Sequence, residues 1–483
     1  MEINKFNVIS NLFWKLLERG GTQGVQFLVQ IVLARLLLPE DYGIIALVSV
    51  FIVIANVFVQ SGFNSALIQK KKADEIDFSS IFFLSLFFAF ILYLIIFFSS
   101  PFVANFFSEP LLKPVLRVLS IILFFGAVNS VQLSIVSREL KFKKLFFSSL
   151  LSISISGFIG ISLAYKGLGV WALVAQQISF QSLLMIVLWF TLKWRPKVAF
   201  SLKRVKSLFS FGWKLLVSSL VDKIYMDIRL IFIGKMYVSS VLGSFYNGQI
   251  IPKTMVSNVN GSIQSVMFPV LSSQQDNRKT VKKMVRRSIV TSSFLIFPIM
   301  IGLASIAEPF VKIILTDKWL PAVPFLQIFC LSYALWPIHT ANLQAINAIG
   351  RSDIFLKLEI IKKSIGLIIL SVSLLYGVYA IAIGMVVSGL IGTFINAYPN
   401  KKLLDYGYKE QIIDIMPSLV LSTIMGIIVY SIQFLHLATW LTLIMQVSTG
   451  IIFFFGMAKI FKLECFDYLI ATFKEIIQSK KSR

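Results

Sequence analysis

An all-α polytopic membrane protein is what this sequence predicts: about fourteen transmembrane helices, as two six-helix bundles related by a direct repeat plus two C-terminal helices. Three observations predict it. The chain of 483 residues is 57% hydrophobic with 45 Phe and only 14% charged, and its mean hydropathy is +0.83. A soluble domain is about 45–50% apolar and about 25% charged. The first half also returns in the second: Trp14-Lys15-Leu16-Leu17 as Trp213-Lys214-Leu215-Leu216, and Gly169-Val170-Trp171-Ala172-Leu173 as Gly377-Val378-Tyr379-Ala380-Ile381. Between these anchors Asn129, Arg138 and Lys144 are matched by Asn342, Arg351 and Lys357. A direct repeat of roughly 200 residues, made of apolar segments, is how two rocking bundles are written in sequence. Finally, basic residues gather in alternate loops.

A hydrocarbon core of about 30 Å needs about 20 apolar residues per crossing helix. On that ruler the first half carries segments near 10–36, 43–67, 79–100, 112–136, 145–165 and 169–192. The second half carries 207–234, 239–271, 288–307, 322–349, 354–376 and 377–398, and two further segments lie near 413–434 and 438–460. The expected division is an N-terminal lobe over 1–200, a second lobe over 201–400, and two extra helices with a cytoplasmic tail over 401–483. The first apolar stretch is interrupted by Lys15, Glu18 and Arg19 and lacks a small-residue cleavage site, so a retained helix is expected there. The stretch 466–477 mixes Phe, Tyr, Leu and Ile with Lys474 and Glu475, as an amphipathic surface helix does.

The formal net charge of +24 is a topology signal rather than a nucleic-acid signal. Basic residues cluster at Lys70-Lys71-Lys72, Arg138 to Lys144, Lys193 to Lys206, Arg278 to Arg287, Arg351 to Lys363, Lys401 to Lys409 and in the tail. Of the 46 Lys and Arg, about 33 fall on that side and about seven opposite, which places both termini in the cytoplasm. Loops on the other side hold only about 15 residues, far below a folded domain. Cys330 and Cys465 suggest neither a disulfide nor a metal site. No phosphate-binding loop, HExxH, CxxC pair or nucleophile elbow is present, so no enzyme activity, cofactor or metal is expected. His436 falls in an outer loop, and His339 reads as a packed polar residue within a helix.

The chemistry must then sit in the polar content of the helices. Lys15, Arg19, Gln23, Gln26 and Gln30 recur every three or four residues and share a helical face. The second segment carries Asn56, Gln60 and Asn64. The seventh carries Lys214, Ser218, Asp222, Tyr225 and Arg229, with Lys223 and Asp227 beside them. The eighth carries Lys253, Ser257, Asn260 and Gln264. Facing lipid, each mid-membrane charge costs about 2.5–3.5 kcal/mol on insertion scales, so these stripes should share a wet interior. Other readings exist for some of them. Lys15, Arg19 and Lys214 lie within about two turns of the cytoplasmic helix ends and can snorkel to headgroups. Asp222, Lys223, Asp227 and Arg229 can close a structural ion network, Lys223 and Asp227 having i, i+4 spacing. Lys253 lies mid-segment directly after Pro252, with no acid within a turn, and stands first as a substrate contact.

Lys15, Arg19, Lys214, Lys223, Arg229 and Lys253 outnumber Glu18, Asp222 and Asp227. That excess repels a cationic drug and attracts a phosphate or pyrophosphate headgroup, while the Gln, Asn and Ser suit sugar hydroxyls. An anionic lipid-linked glycan is the cargo expected. Glu18, Asp222 and Asp227 are the candidates for binding a coupling H⁺ or Na⁺.

Several stretches carry a family resemblance: Val32-Leu33-Ala34-Arg35 with Tyr42-Gly43; Gly62 to Lys71 with Ala66, Ile68 and Gln69; Glu139-Leu140 with Phe142-Lys143; and Phe268-Pro269 before Gln275-Asp276. Asp317-Lys318-Trp319, continuing through Pro324, Leu326, Gln327 and Cys330, is the most specific. In their order and spacing the chain resembles the polysaccharide transporters of the multidrug/oligosaccharidyl-lipid/polysaccharide (MOP) superfamily, most closely the colanic-acid and O-antigen (lipopolysaccharide) flippases. The resemblance implies translocation of an undecaprenyl-pyrophosphate-linked oligosaccharide across the bacterial cytoplasmic membrane for polysaccharide biosynthesis. A monomer that can contact polysaccharide polymerase machinery is expected. A multidrug antiporter of the same fold would predict an acidic cavity. A lipid-linked peptidoglycan precursor flippase would share the cationic one.

Overall fold

The protein is described from a computed structural model over residues 5–60, 63–70, 73–274 and 276–471. Gly62, Lys71, Lys72, Gln275 and the tail beyond Ala471 lie outside these, as do the side chains of Arg19, Gln69, Phe268 and Pro269. Among the described residues every regular element is helical. The first half runs α1 (Lys5–Leu36), α2 (Pro39–Gln60), α3 (Phe63–Gln69), α4 (Glu75–Phe107), α5 (Leu112–Leu119), α6 (Ile122–Arg138), α7 (Phe142–Tyr165) and α8 (Val170–Thr191). The second runs α9 (Leu202–Met236), α10 (Ser239–Ser273), α11 (Arg278–Ser305), α12 (Ala307–Ile314), α13 (Val323–Ala334), α14 (Trp336–Ala348), α15 (Ser352–Ser373) and α16 (Val378–Leu404). Then come α17 (Tyr408–Ser431) and α18 (Thr439–Ile460).

Among the described residues ten helical stretches are long and apolar enough to cross a membrane. The expected total of fourteen rests on four more, α1, α9, α10 and α15. They are long enough, at 32, 35, 35 and 22 residues, but their polar side chains lower their apolarity. Three of them carry the polar stripes.

The repeat is visible in local geometry. The fourth crossing of each half is broken at the same place, between α5 and α6 and between α13 and α14. Gly169 and Gly377, paired by the sequence repeat, precede α8 and α16 with φ of 54° and 104°. That left-handed region strains any residue with a Cβ, which is why both copies are glycine.

Contacts divide the chain into two compact units, 1–246 and 247–483. The repeat boundary near residue 200 divides the sequence, and compactness divides it elsewhere, because α9 packs along α2, α3 and α4. Within the first unit α1 lies on α7 and α7 on α8. Small residues let these backbones approach: a Cβ on Gly157 would press on Val29, and one on Gly160 on Gln176. The amino-terminal ends of α2 and α10 meet through a reciprocal glycine pair. A Cβ on Gly43 would strike the Ser239 carbonyl, and a Cβ on Gly243 the Pro39 carbonyl.

Pro101 sits inside α4 and has no N–H to give the carbonyl of Phe97. That carbonyl accepts instead from Ser100 Oγ at 2.8 Å and Arg117 Nε at 3.2 Å, and Arg117 lies over the Phe97 ring at 4.1 Å. Arg117→Ala should lower stability by about 1–3 kcal/mol, since it strips a charged donor from a half-buried acceptor, leaving it only Ser100 Oγ. Thermal unfolding in detergent measures it, and an unchanged melting temperature would show that water replaces the guanidinium there.

In the second unit α11 packs on α13, α14 and α17, and α15 on α16. Asn342, the repeat partner of Asn129, is a buried clamp. Its Nδ2 donates to Gln411 Oε1 at 2.9 Å, and its Oδ1 accepts from Gln411 Nε2 at 2.9 Å and Asn400 Nδ2 at 2.7 Å, joining α14, α16 and α17. Asn129 donates to the carbonyl and side chain of Gln181 at 3.2 and 3.3 Å, joining α6 to α8. His339 lies 3.0 Å from Asn396 and 3.3 Å from Thr393 of α16, the packed polar residue expected. A last helix over 464–471 follows a turn and lays Leu463, Phe466 and Leu469 against the core of α11, α17 and α18, so the described part of the expected amphipathic tail is helical.

Candidate functional site

The polar stripes lie on α1, α2, α9 and α10, corresponding helices of the two repeats, and each has its own surroundings. On α1, Lys15 is exposed, its ammonium 5.4 Å from the ring of Phe142, the first residue of α7. Trp14 packs beside Phe146 and Phe147, with Lys143 over its ring at 5.2 Å. This is an amphipathic rim in which a lysine keeps its head in water. The side chain of Arg19 lies outside the described residues, and Glu18 is half-buried. Gln23, Gln26 and Gln30 are half-buried along the same helix. The Oε1 of Gln23 is buried and receives no donor among the described residues.

On α2, Gln60 donates to Asn56 at 3.2 Å, and a Cβ on Gly126 of α6 would meet both amides. The pair is therefore turned toward α6, inside its own bundle. Asn64, expected on the same segment, lies instead on α3, and its Oδ1 has no donor among the described residues.

On α9, Lys214 and Lys223 are exposed and Asp222 and Asp227 half-buried. Arg229 is 7% exposed. Its guanidinium lies 5.2 Å from the ring of Tyr225, one turn earlier, and 3.4 Å from that residue's carbonyl. No Lys223–Asp227 bridge forms among the described residues, since Lys223 faces outward. Asp227 instead lies within electrostatic reach of Tyr246 on α10.

On α10, Lys253 is half-buried beside buried Pro252, and Ser257 donates to the Thr254 carbonyl at 3.0 Å. Asn260 is 3% exposed, and both polar atoms of its amide lack a protein partner among the described residues. Gln264 is exposed. Buried unpartnered amides cost about 1–3 kcal/mol each unless water or a ligand satisfies them. Gln23, Asn64 and Asn260 thus mark positions on three stripes where a guest with hydroxyls would be stabilised.

Composition did not reveal one further feature. An apolar cavity of about 350 Å³ lies between α11, α17 and α18, lined by Phe294, Pro298, Gly302, Met425, Gly450 and Phe454 among others. Its walls come from segments more than a hundred residues apart, so no local pattern announces it. Among the described residues no three His, Cys, Asp or Glu side chains gather as a metal site.

Comparison with known proteins agrees with this architecture. The chain is 27% identical over 392 residues to the teichuronic acid biosynthesis protein TuaB of Bacillus subtilis, covering 79% of this chain and 80% of TuaB. It is 25% identical over 330 residues to the succinoglycan biosynthesis transport protein ExoT of Rhizobium meliloti, covering 68% and 67%. The lipid II flippase MurJ, in an inward closed conformation, superposes with a TM-score of 0.73 at 18% identity, over 95% of this chain and 99% of that one, which shows a shared fold. Residues 32–324 match the pattern of the polysaccharide biosynthesis protein family, and the chain, a multi-pass membrane protein with the transporter fold of the MOP superfamily, belongs to that family.

Proposed function

We propose that this protein is a flippase that moves a polyprenyl-pyrophosphate-linked oligosaccharide across the bacterial cytoplasmic membrane for cell-surface polysaccharide assembly. Membership of the polysaccharide biosynthesis family supports the substrate class. The observation that carries the chemistry is a set of cationic and amide side chains on corresponding helices of an otherwise apolar chain: Arg229 buried on α9, and Lys253 and the unpartnered Asn260 on α10. Lys253 lies 14 residues from the start of α10, about 21 Å along a helix of about 52 Å, which supports a place for it inside the bilayer rather than at its surface. A lysine there favours a phosphate oxygen, and the neighbouring amides favour sugar hydroxyls.

Alternating access is the mechanism proposed. The inward-open state takes the headgroup and glycan, and the bundles then rock about an axis along the membrane normal. Moving an anion out of a negative interior gains about 2.3 kcal/mol per charge per 100 mV. Asp222, Asp227 and Glu18 are proposed to take up H⁺ or Na⁺ during the return of the empty carrier. The charge bias of the loops supports both termini lying in the cytoplasm. The protein acts on its cargo without covalent chemistry, as a monomer.

The test is transbilayer movement of a labelled polyprenyl-pyrophosphate oligosaccharide in proteoliposomes, with a cationic dye run in parallel. Lys253→Ala should slow glycolipid movement about tenfold or more, the worth of a charge-assisted hydrogen bond, and leave the protein folded. Dye movement without glycolipid movement would replace this reading with a drug antiporter. Glycolipid movement unchanged in Lys253→Ala would leave the flippase and remove its proposed headgroup contact. Flipping indifferent to ion gradients and to membrane potential would remove the coupling role of the three carboxylates.

A further inference from the structure

The basic end of α11 divides its cations into two classes. Lys282 is paired with Glu410 at 3.1 Å, and Arg286 with Asp414 at 3.0 Å and Glu464 at 3.4 Å. Lys283 and Arg287, one turn apart on the same helix, are exposed and have no carboxylate at ion-pair distance among the described residues. Both border a cavity of about 60 Å³ whose remaining walls are Arg286, Val290, Thr291, Glu464, Cys465 and Tyr468, the one acid among them, Glu464, being the partner of Arg286. The Tyr468 ring lies 3.8 Å from the Arg287 guanidinium, so the helix over 464–471 closes one side. Phe294 lies seven residues beyond Arg287 on α11, about 10 Å deeper. It lines the apolar cavity, together with Leu295, Pro298 and Ile299.

We propose that Lys283 and Arg287 bind the phosphate of a resident anionic glycerophospholipid, whose acyl chain continues along α11 toward the apolar cavity. The size supports a single phosphodiester rather than a pyrophosphate bearing a glycan. Two cations one turn apart supply the charge, beside Lys282 and Arg286, which have each found an acid. A free phosphate would satisfy the same cations, but only a lipid also uses the apolar path below them. Because Tyr468 walls the cavity, the bound lipid also braces the C-terminal helix on α11. This assignment concerns the surrounding membrane and stands or falls independently of the cargo.

Native mass spectrometry of the full chain in detergent, titrated with phosphatidylglycerol or phosphatidylcholine, tests it. Wild type should retain phosphatidylglycerol selectively. The Lys283→Gln/Arg287→Gln double variant should bind it about tenfold or more weakly, each basic residue contributing about fivefold near an anionic headgroup. A Lys401→Gln/Lys402→Gln control, equally exposed at the end of α16, should behave as wild type. Equal retention of the two lipids by wild type, or an unchanged preference in the double variant, overturns the proposal. Displacement by glycerol phosphate at the lipid's own concentration would make this a soluble-phosphate site and overturn the lipid assignment. Should the double variant fail to fold, wild type in rising salt decides. An electrostatic headgroup site loses its phosphatidylglycerol preference as salt screens it, and a preference that survives high salt counts against the two cations.

Discussion

Gly43→Ala and Gly243→Ala should each reduce transport of the labelled glycolipid by about 100-fold, almost as far as the valine variants at the same positions. A Cβ at either glycine strikes a backbone carbonyl, Ser239 in one case and Pro39 in the other. Backbone cannot move aside by changing rotamer, so the helix ends must separate, at an overpacking cost of about 3 kcal/mol. The alanine already carries the offending atom. The two glycines head the corresponding second helices of the two repeats, and under the alternating access proposed above a contact at one end would be repeatedly made and broken. Proteoliposome transport by the four variants decides the matter. A loss graded with side-chain size would mean that the ends only pass one another. Wild-type rates in the alanine variants would mean that transport never uses this contact.

Asp77→Ala should cost about 3–5 kcal/mol of stability, the penalty for breaking a buried ion pair. Asp77 is fully buried. Lys70 reaches both its oxygens at 2.7 Å, and Arg204 reaches Oδ1 at 3.4 Å. It also closes the capping box of α4, accepting from the Asp74 N–H at 3.1 Å while its own N–H donates to Asp74 at 3.0 Å. Around it Arg138 donates to the carbonyls of Leu67, Ile68 and Lys70 at 2.5, 3.2 and 2.7 Å. Ser79 and Ser80 receive the N–H groups of Lys197 and Ser201 at 2.9 and 3.0 Å. One carboxylate therefore ties α3, α4 and the start of α9 together. Lys70 is 33% exposed and can regain water, which puts the alanine loss toward the lower figure. Asp77→Asn, which can still cap the helix, should lose less. Thermal unfolding in detergent measures both, and equal melting temperatures for wild type and Asp77→Ala would sink the account.

Asp74 and Asp77 show what a sequence pattern misses. They sit in a run of charges that reads as a solvated loop, and nothing in that run says that one acid is exposed and the other buried. That difference depends on Lys70, Arg138 and Arg204, which arrive from the loop after α3, from α6 and from α9. The same holds for the polar stripes. Spacing placed Asn56 with Gln60, and the structure turns that pair toward Gly126 of α6. Spacing also paired Lys223 with Asp227, but the lysine faces outward and the aspartate lies near Tyr246. Lys283 and Arg287 looked like two more basic residues of a topology signal until Lys282 and Arg286 beside them proved to be paired with acids.

The helical class, the membrane setting, the repeat and the helices that carry polar faces were legible in the order of residues. These follow from apolar runs set against bilayer thickness and from residue identity recurring at fixed offsets, which are properties of single segments or of their order. Tertiary structure alone decided which polar atoms are satisfied, which cations keep no acid, where helices touch through glycine, and where an apolar cavity remains. Each of those depends on atoms brought together from distant parts of the chain, and a side chain's burial and partners are set by what packs on it rather than by its neighbours in sequence.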